Sequence, residues 1–139
     1  RTDPLQGRSL TEMLSQLTHN FQRTTGIEVQ SQLELPPALS QAISTAIYRV
    51  VQEGLTNICK HAEATTVNLY LKSTQDGLAL LLQDNGKGFH LDANRSGFGL
   101  QGMQERVSAL GGHLQIKSHP NQGCRITALF SEVGRSGAA

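Results

Sequence analysis

A long apolar stripe between residues 39 and 61 constrains the fold more than any other feature of the sequence. Apolar residues recur there at steps of three and four with no proline among them, which is typical of a helix about six turns long with one buried face. They are Leu39, Ala42, Ile43, Ala46, Ile47, Val50, Val51, Leu55 and Ile58. A helix of this kind packs naturally on a sheet, so the sequence predicts strands elsewhere in the chain.

The segments on either side of the stripe supply those strands. Ser9 and Glu12 form a capping box before an amphipathic helix that should end near Gly26. Alternating or continuous apolar residues predict strands, and the most apolar of them, residues 78–83, should be central. The predicted strands cover residues 27–35, 66–72, 78–83, 113–118 and 124–130, and a last helix covers residues 100–110. This order favours an α+β fold, a two-layer α/β sandwich whose mixed sheet has its helices on one face.

Length and composition exclude several classes of protein. The 139 residues fit one domain, expected over residues 1–132 with 133–139 as a disordered tail. A net charge of +1 without a basic run gives no reason to expect nucleic acid. No apolar run reaches the roughly 20 residues that cross a bilayer, so we expect a soluble, cytoplasmic piece without membrane contact, whatever anchors a longer parent protein. Cys59 and Cys124 lie outside any CxxC pair and are expected to be inert thiols.

Polar residues interrupt the apolar pattern at the end of the long helix. Glu53 and Asn57 are four positions apart and share a helical face, and Lys60 follows three positions later. A carboxylate, an amide and an ammonium on one face can hold a hydrated magnesium ion and the phosphates that it neutralises. The alternative is a solvated edge of the helix.

A second cluster, Asp84, Gly86 and Gly88, directly follows the apolar strand. A carboxylate at the end of a buried strand can accept a hydrogen bond from the exocyclic amine of a flat base. The two glycines would allow positive φ angles and a close approach of the backbone to a ligand. The alternative is an ordinary turn, because Asp-Asn-Gly is common in turns.

In the third cluster, Gly97, Gly99 and Gly102 lead directly into the last helix. Free N–H groups at a helix N-terminus favour phosphate. The cluster has the spacing G-x-G-x-x-G, but no strand precedes it and no β-α-β unit surrounds it, which disfavours a Rossmann site. A P-loop is absent from the sequence as well.

In this order the three clusters resemble the N, G1 and G2 boxes of the GHKL ATPases. The flanking sequences, Tyr48 to Ala62 and Gly99 to Gly112, resemble the nitrate-sensor and hexose-phosphate-sensor type of histidine kinase. The resemblance covers nearly the whole chain. It implies the Bergerat fold, with ATP held between the long helix, a lid and the last helix.

The resemblance also implies roles for single residues. Asn57 would bind Mg²⁺, Glu53 would support the metal and its waters, and Asp84 would hold the adenine amine. A lid would run from Phe89 to Gly97. The other positions implied to contact or shape the nucleotide site are Lys60, His61, Gly86, Gly88, Phe89, Gly97, Gly99, Leu100, Gly102 and Cys124.

Two departures from the family pattern carry expectations of their own. Relatives usually have threonine where this chain has Cys124, and a thiol is a weaker hydrogen-bond partner, so we expect modest nucleotide affinity. None of the five histidines is followed by aspartate. The phosphoacceptor would therefore lie on dimerisation helices of the same receptor, with a response regulator downstream, and the isolated domain should turn ATP over poorly. The alternatives are a protein-serine kinase of the anti-sigma type and a degenerate domain that transfers nothing.

Overall fold

The computed structural model describes residues 9–36, 38–57, 63–88 and 100–131, with Leu100 described in its backbone only. The helices of these residues are α1 (Leu10–Thr25), α2 (Gln41–Asn57) and α3 (Leu100–Ser108). The strands are β1 (Glu28–Leu33), β2 (Thr66–Thr74), β3 (Gly77–Asp84), β4 (His113–Ser118) and β5 (Cys124–Phe130). Every predicted helix and strand is confirmed in type and order.

Local hydrogen bonds explain where the first two helices begin. The Ser9 hydroxyl accepts the N–H of Glu12 at 3.1 Å, and the Glu12 carboxylate accepts the N–H of Ser9 at 3.1 Å, which confirms the predicted capping box. Helix α2 begins after the predicted Leu39, because the Ser40 hydroxyl accepts the N–H of Ile43 at 3.1 Å and caps the helix. The predicted continuation of α2 through residues 58–61 lies outside the described residues.

The sheet has five strands in the order β1-β2-β3-β5-β4. Strands β1 and β2 are parallel and α2 connects them, whereas the other neighbours are antiparallel. The sheet is therefore mixed, and β3 is its central strand, as predicted. In the β2–β3 register Val67 lies opposite Asp84, which places the end of the central strand beside the start of β2.

The core lies between one face of the sheet and the described helices. Helix α1 contacts α2 and β1, α2 also contacts β3 and α3, and α3 contacts β4. Gly54 is buried on α2, and a Cβ atom there would overlap the Leu82 side chain of β3. The C-terminal part of α2 therefore packs directly on the central strand. Within the described residues, no helix is long and apolar enough to cross a membrane.

The opposite face of the sheet carries mostly polar and charged side chains, and Leu129 on β5 is 56% exposed there. At the outer edge of the sheet, the Gln22 side chain of α1 reaches β1. Its Oε1 atom accepts the N–H of Val29 at 2.6 Å. On the other side of β1, the N–H groups of Glu28 and Glu34 donate to backbone carbonyls of the β2 side, at 3.1 and 2.8 Å.

Candidate functional site

The C-terminal part of α2 carries the first cluster of predicted site residues. Asn57 is 7% exposed, and Glu53 is half-buried one turn earlier on the same helix. Because Gly54 lets this part of α2 approach Leu82, both residues belong to a segment fixed against the central strand. The predicted phosphate contacts Lys60 and His61 lie outside the described residues.

Asp84 ends the central strand and is 3% exposed. Its Oδ1 atom accepts the N–H of Gly86 at 2.7 Å, whereas its buried Oδ2 atom has no hydrogen-bond partner among the described residues. Burial raises the pKa of Asp84, and the backbone N–H groups of Gly86 and Cys124 act in the opposite direction. A buried acceptor without a protein donor is unfavourable unless a ligand supplies one, and an exocyclic amine is such a donor.

The segment after Asp84 packs tightly against the turn between β4 and β5. Gly88 has a φ angle of 68°, and a Cβ atom there would overlap the carbonyl oxygen of His119. Next to it, the N–H of Asn121 donates to the Lys87 carbonyl. The expected positive φ angle is thus found at Gly88 and not at Gly86. A glycine is therefore needed at position 88 because the turn between β4 and β5 leaves no room for a side chain, independently of any ligand.

On its other side the same segment is fastened to the residues that precede β2. The Asn85 side chain accepts the N–H groups of Thr65 and Thr66 at 2.9 and 3.0 Å, and donates to the Thr65 hydroxyl at 2.8 Å. Lys87 and Glu63 form an exposed ion pair at 3.6 Å. In the sequence, Asn85 is predicted only to be part of a turn, and its position directly after a strand is the one signal for these contacts.

Cys124 begins β5 and lies opposite Ser118. Burial raises the pKa of the Cys124 thiol to about 12, the negative charge of Asp84 adds to this rise, and a hydrogen bond with Ser118 opposes it. The thiol is therefore neutral at physiological pH and keeps its proton as a weak donor. The buried Ser118 hydroxyl donates to the Gly123 carbonyl at 3.1 Å, a contact that the sequence did not indicate.

The remaining predicted positions lie in the first turn of α3 or precede that helix. Gly102 is exposed on α3, and a Cβ atom there would meet no described atom within 4 Å. Packing against the described residues therefore gives no reason for a glycine at this helical position. Phe89, Gly97, Gly99 and the predicted lid between residues 89 and 97 lie outside the described residues.

The described part of the chain holds no group of three or more histidine, cysteine, aspartate or glutamate side chains that could bind a metal ion. A magnesium ion that accompanies phosphates keeps several waters and needs only one or two protein ligands. Asn57 and Glu53 are compatible with that limited role.

Comparison with known proteins identifies the protein family to which the chain belongs. Residues 42–133 match the family described as histidine kinase-, DNA gyrase B- and HSP90-like ATPases. The chain belongs to this ATPase family. Sensor histidine kinase LiaS of Bacillus subtilis is 33% identical over 123 residues, which are 88% of this chain and 34% of that protein. The signal transduction histidine-protein kinase/phosphatase UhpB of Salmonella typhimurium is 48% identical over 95 residues, 68% of this chain and 19% of that protein.

The chain spans about a third or less of the length of these two relatives, 34% and 19%. The ATP binding domain of PrrB from Mycobacterium tuberculosis has the same fold, with a TM-score of 0.66 and 23% identity over 91% of this chain and 95% of that chain. The predicted membership of this ATPase family and the predicted α+β sandwich are confirmed. Because the family consists of ATPases, ATP is the nucleotide that such a domain binds. The roles of single residues stay predictions.

Proposed function

We propose that this chain is the ATP-binding catalytic domain of a sensor histidine kinase, over residues 1–132 with 133–139 as a tail. It would place the γ-phosphate of Mg-ATP for transfer to a histidine on dimerisation and phosphoacceptor helices of the same receptor. The observation that carries the proposal is the buried Oδ2 atom of Asp84 at the end of the central strand, which has no hydrogen-bond partner among the described residues. A charged acceptor in this position fits the amine of adenine.

The two ends of the nucleotide would be held by different elements. Asp84 would bind the base in a pocket shaped by Gly86, Gly88 and Phe89, and Cys124 would help to hold the aspartate. Asn57 would hold magnesium with support from Glu53, and the ion would neutralise phosphate charge when bound. Further contacts with the nucleotide are proposed for Lys60, His61, Gly97, Gly99, Leu100 and Gly102.

Phosphoryl transfer needs little covalent chemistry from the protein, because positioning and charge neutralisation supply most of the rate. The domain would therefore act by aligning the γ-phosphate with an imidazole brought by the phosphoacceptor helices. A response regulator would receive the phosphoryl group from that histidine. The LiaS and UhpB relatives support this role, since both are named histidine kinases.

Calorimetric titration with ATP, with and without Mg²⁺, tests the proposal. We expect magnesium-dependent binding by the chain, loss of the magnesium dependence in Asn57→Ala, and a fall in affinity of about 10- to 100-fold in Asp84→Asn, because a hydrogen bond to a charged acceptor is lost. Asp76→Asn, in the exposed turn at the other end of β3, and Asn20→Ala, exposed on α1, are the matched controls. Absence of ATP binding by the unaltered chain would refute the proposal and favour a degenerate module.

A further inference from the structure

We propose that Asn85 is a positioning residue that orients the Asp84 carboxylate and so sets the preference of the site for adenine over 6-oxopurines. The inference rests on the proposed role of Asp84 as the base-binding acceptor. It assigns a function to a side chain whose hydrogen bonds go to Thr65 and Thr66 and that acts through its neighbour in the chain.

The Asn85 side chain and backbone make four hydrogen bonds with the residues at the start of β2. Its Oδ1 atom accepts two backbone N–H groups, those of Thr65 at 2.9 Å and Thr66 at 3.0 Å. Its Nδ2 atom donates to the Thr65 hydroxyl at 2.8 Å, and its own N–H donates to the Thr66 carbonyl at 3.3 Å. All these lengths are within or close to the range of good hydrogen bonds. Asn85 therefore continues the β2–β3 pairing by side-chain contacts, one residue past the last rung at Asp84 and Val67.

This attachment also fixes the backbone next to the Asp84 carboxylate. The Oδ1 atom of Asp84 accepts the N–H of Gly86 at 2.7 Å, across the residue that Asn85 occupies. This short turn forms only while the backbone between Asp84 and Gly86 keeps its direction. It occupies one carboxylate oxygen and leaves the buried Oδ2 atom as the acceptor without a partner among the described residues. Asn85 thus determines which oxygen is available to a base.

Among the described residues, few other contacts can replace those of Asn85 on the side that faces β2. The turn between β4 and β5 holds the segment from the opposite side, through Gly88 and Lys87. Toward β2, the Lys87–Glu63 ion pair is 3.6 Å long, and its side chains are 52% and 77% exposed. An exposed ion pair contributes little. Residues 84–88 are called the base-binding segment here, after the proposed role of Asp84. Among the described residues, Asn85 is therefore the main attachment between this segment and the residues before β2.

The chemical consequence is selectivity at position 6 of a purine. A fixed carboxylate oxygen accepts from the amine of adenine, whereas the 6-oxo group of hypoxanthine is itself an acceptor and is repelled. A carboxylate that can turn away loses its hydrogen bond with adenine and also avoids the repulsion. Removal of Asn85 should therefore reduce the discrimination between the two bases and not only the affinity.

The test is calorimetry with ADP and inosine diphosphate (IDP) on the chain and its variants. We expect Asn85→Ala to weaken ADP binding about tenfold and IDP binding much less, so that the ADP-to-IDP affinity ratio falls. Asn85→Asp keeps the acceptor for both N–H groups, and the Thr65 hydroxyl can donate to it, so this variant should retain most of the ratio. Lys87→Ala removes only the exposed ion pair and should leave the ratio unchanged.

The outcomes separate this inference from the proposed function. Loss of the ratio in Asp84→Asn and in Asn85→Ala, with rescue by Asn85→Asp, supports the inference. A ratio retained by folded Asn85→Ala overturns it, while loss in Asp84→Asn alone leaves the proposed function intact. A ratio near one in the unaltered chain overturns the inference together with the base-binding role of Asp84, whereas the proposed function as a whole is refuted only if no adenine nucleotide binds. If Asn85→Ala does not fold, Thr65→Val decides, because loss of the hydroxyl contact should reduce the ratio about threefold and an unchanged ratio refutes the positioning role.

Discussion

Replacing Gly88 with alanine should lower the free energy of unfolding by more than the cost of placing a side chain at a left-handed φ angle. The φ angle of 68° places this residue in the left-handed region, where a side chain costs roughly 1–2 kcal/mol. The new Cβ atom would also overlap the His119 carbonyl oxygen, so the turn between β4 and β5 must move away. That movement breaks the hydrogen bond from Asn121 to Lys87, which is worth about 1 kcal/mol. The expected loss in the free energy of unfolding is roughly 2–4 kcal/mol.

Two other glycines isolate the contribution of the overlap. Gly26 and Gly111 have φ angles of 78° and 76°, and a Cβ atom at either position would meet no described atom within 4 Å. Alanine at these positions carries the backbone cost alone, about 1–2 kcal/mol. The excess cost of Gly88→Ala over both controls therefore measures the contact between residues 87–88 and the β4–β5 turn.

Urea denaturation followed by circular dichroism gives the free energy of unfolding for the three variants and the unaltered chain. ADP titration of the same samples adds a functional measurement, in which only Gly88→Ala should bind more weakly. If Gly88→Ala is no less stable than Gly26→Ala and Gly111→Ala, the turn does not lie against the segment as described, and the explanation given for this glycine is wrong.

Three further predictions concern other parts of the domain. The pKa of Asp84 is raised above its usual value of 3.8 in the folded state, so the free energy of unfolding without nucleotide should fall as the pH rises from 3.8 through the raised pKa. Urea denaturation at several pH values should show that Asp84→Asn removes this part of the pH dependence. Cys124→Thr should bind ATP more tightly than the unaltered chain, and Cys124→Val, which has no polar hydrogen at this position, should bind more weakly; equal affinities in calorimetry would contradict the prediction. Ser9→Ala should lower the free energy of unfolding in urea denaturation by about 1 kcal/mol. Ser9→Asp keeps an acceptor for the N–H of Glu12 and should leave the free energy of unfolding almost unchanged.

Much of the fold is predictable because each element carries its own signal in sequence. The capping box at Ser9 and Glu12 determines the start of α1, and apolar alternation marks the strands. Boundaries are less predictable where signals compete. Leu39 continues the apolar spacing of α2, yet the Ser40 hydroxyl caps the helix and excludes it. The spacing of apolar residues indicates which residues can face the core, whereas a capping side chain determines where the helix begins.

The candidate site divides in a similar way. Asp84 could be found from sequence because a carboxylate after an apolar strand is conspicuous. The function of Asn85 could not, because its partners Thr65 and Thr66 are 20 and 19 residues away and come within reach only through the β2–β3 register. For the same reason, the left-handed glycine could not be assigned to position 88 without knowing that His119 lies beside it.

The contact between Gln22 and Val29 affects how readily the edge strand β1 can pair with a strand of another copy of the domain. An edge strand offers unpaired backbone groups to any other strand that meets it, and this is a common route to aggregation. The Gln22 side chain occupies the N–H of Val29 that faces away from β2. An incoming strand must first displace this glutamine, which opposes unwanted pairing between neighbouring copies. One side chain of the first helix thus covers one of the hydrogen-bonding groups that the edge strand β1 would otherwise present.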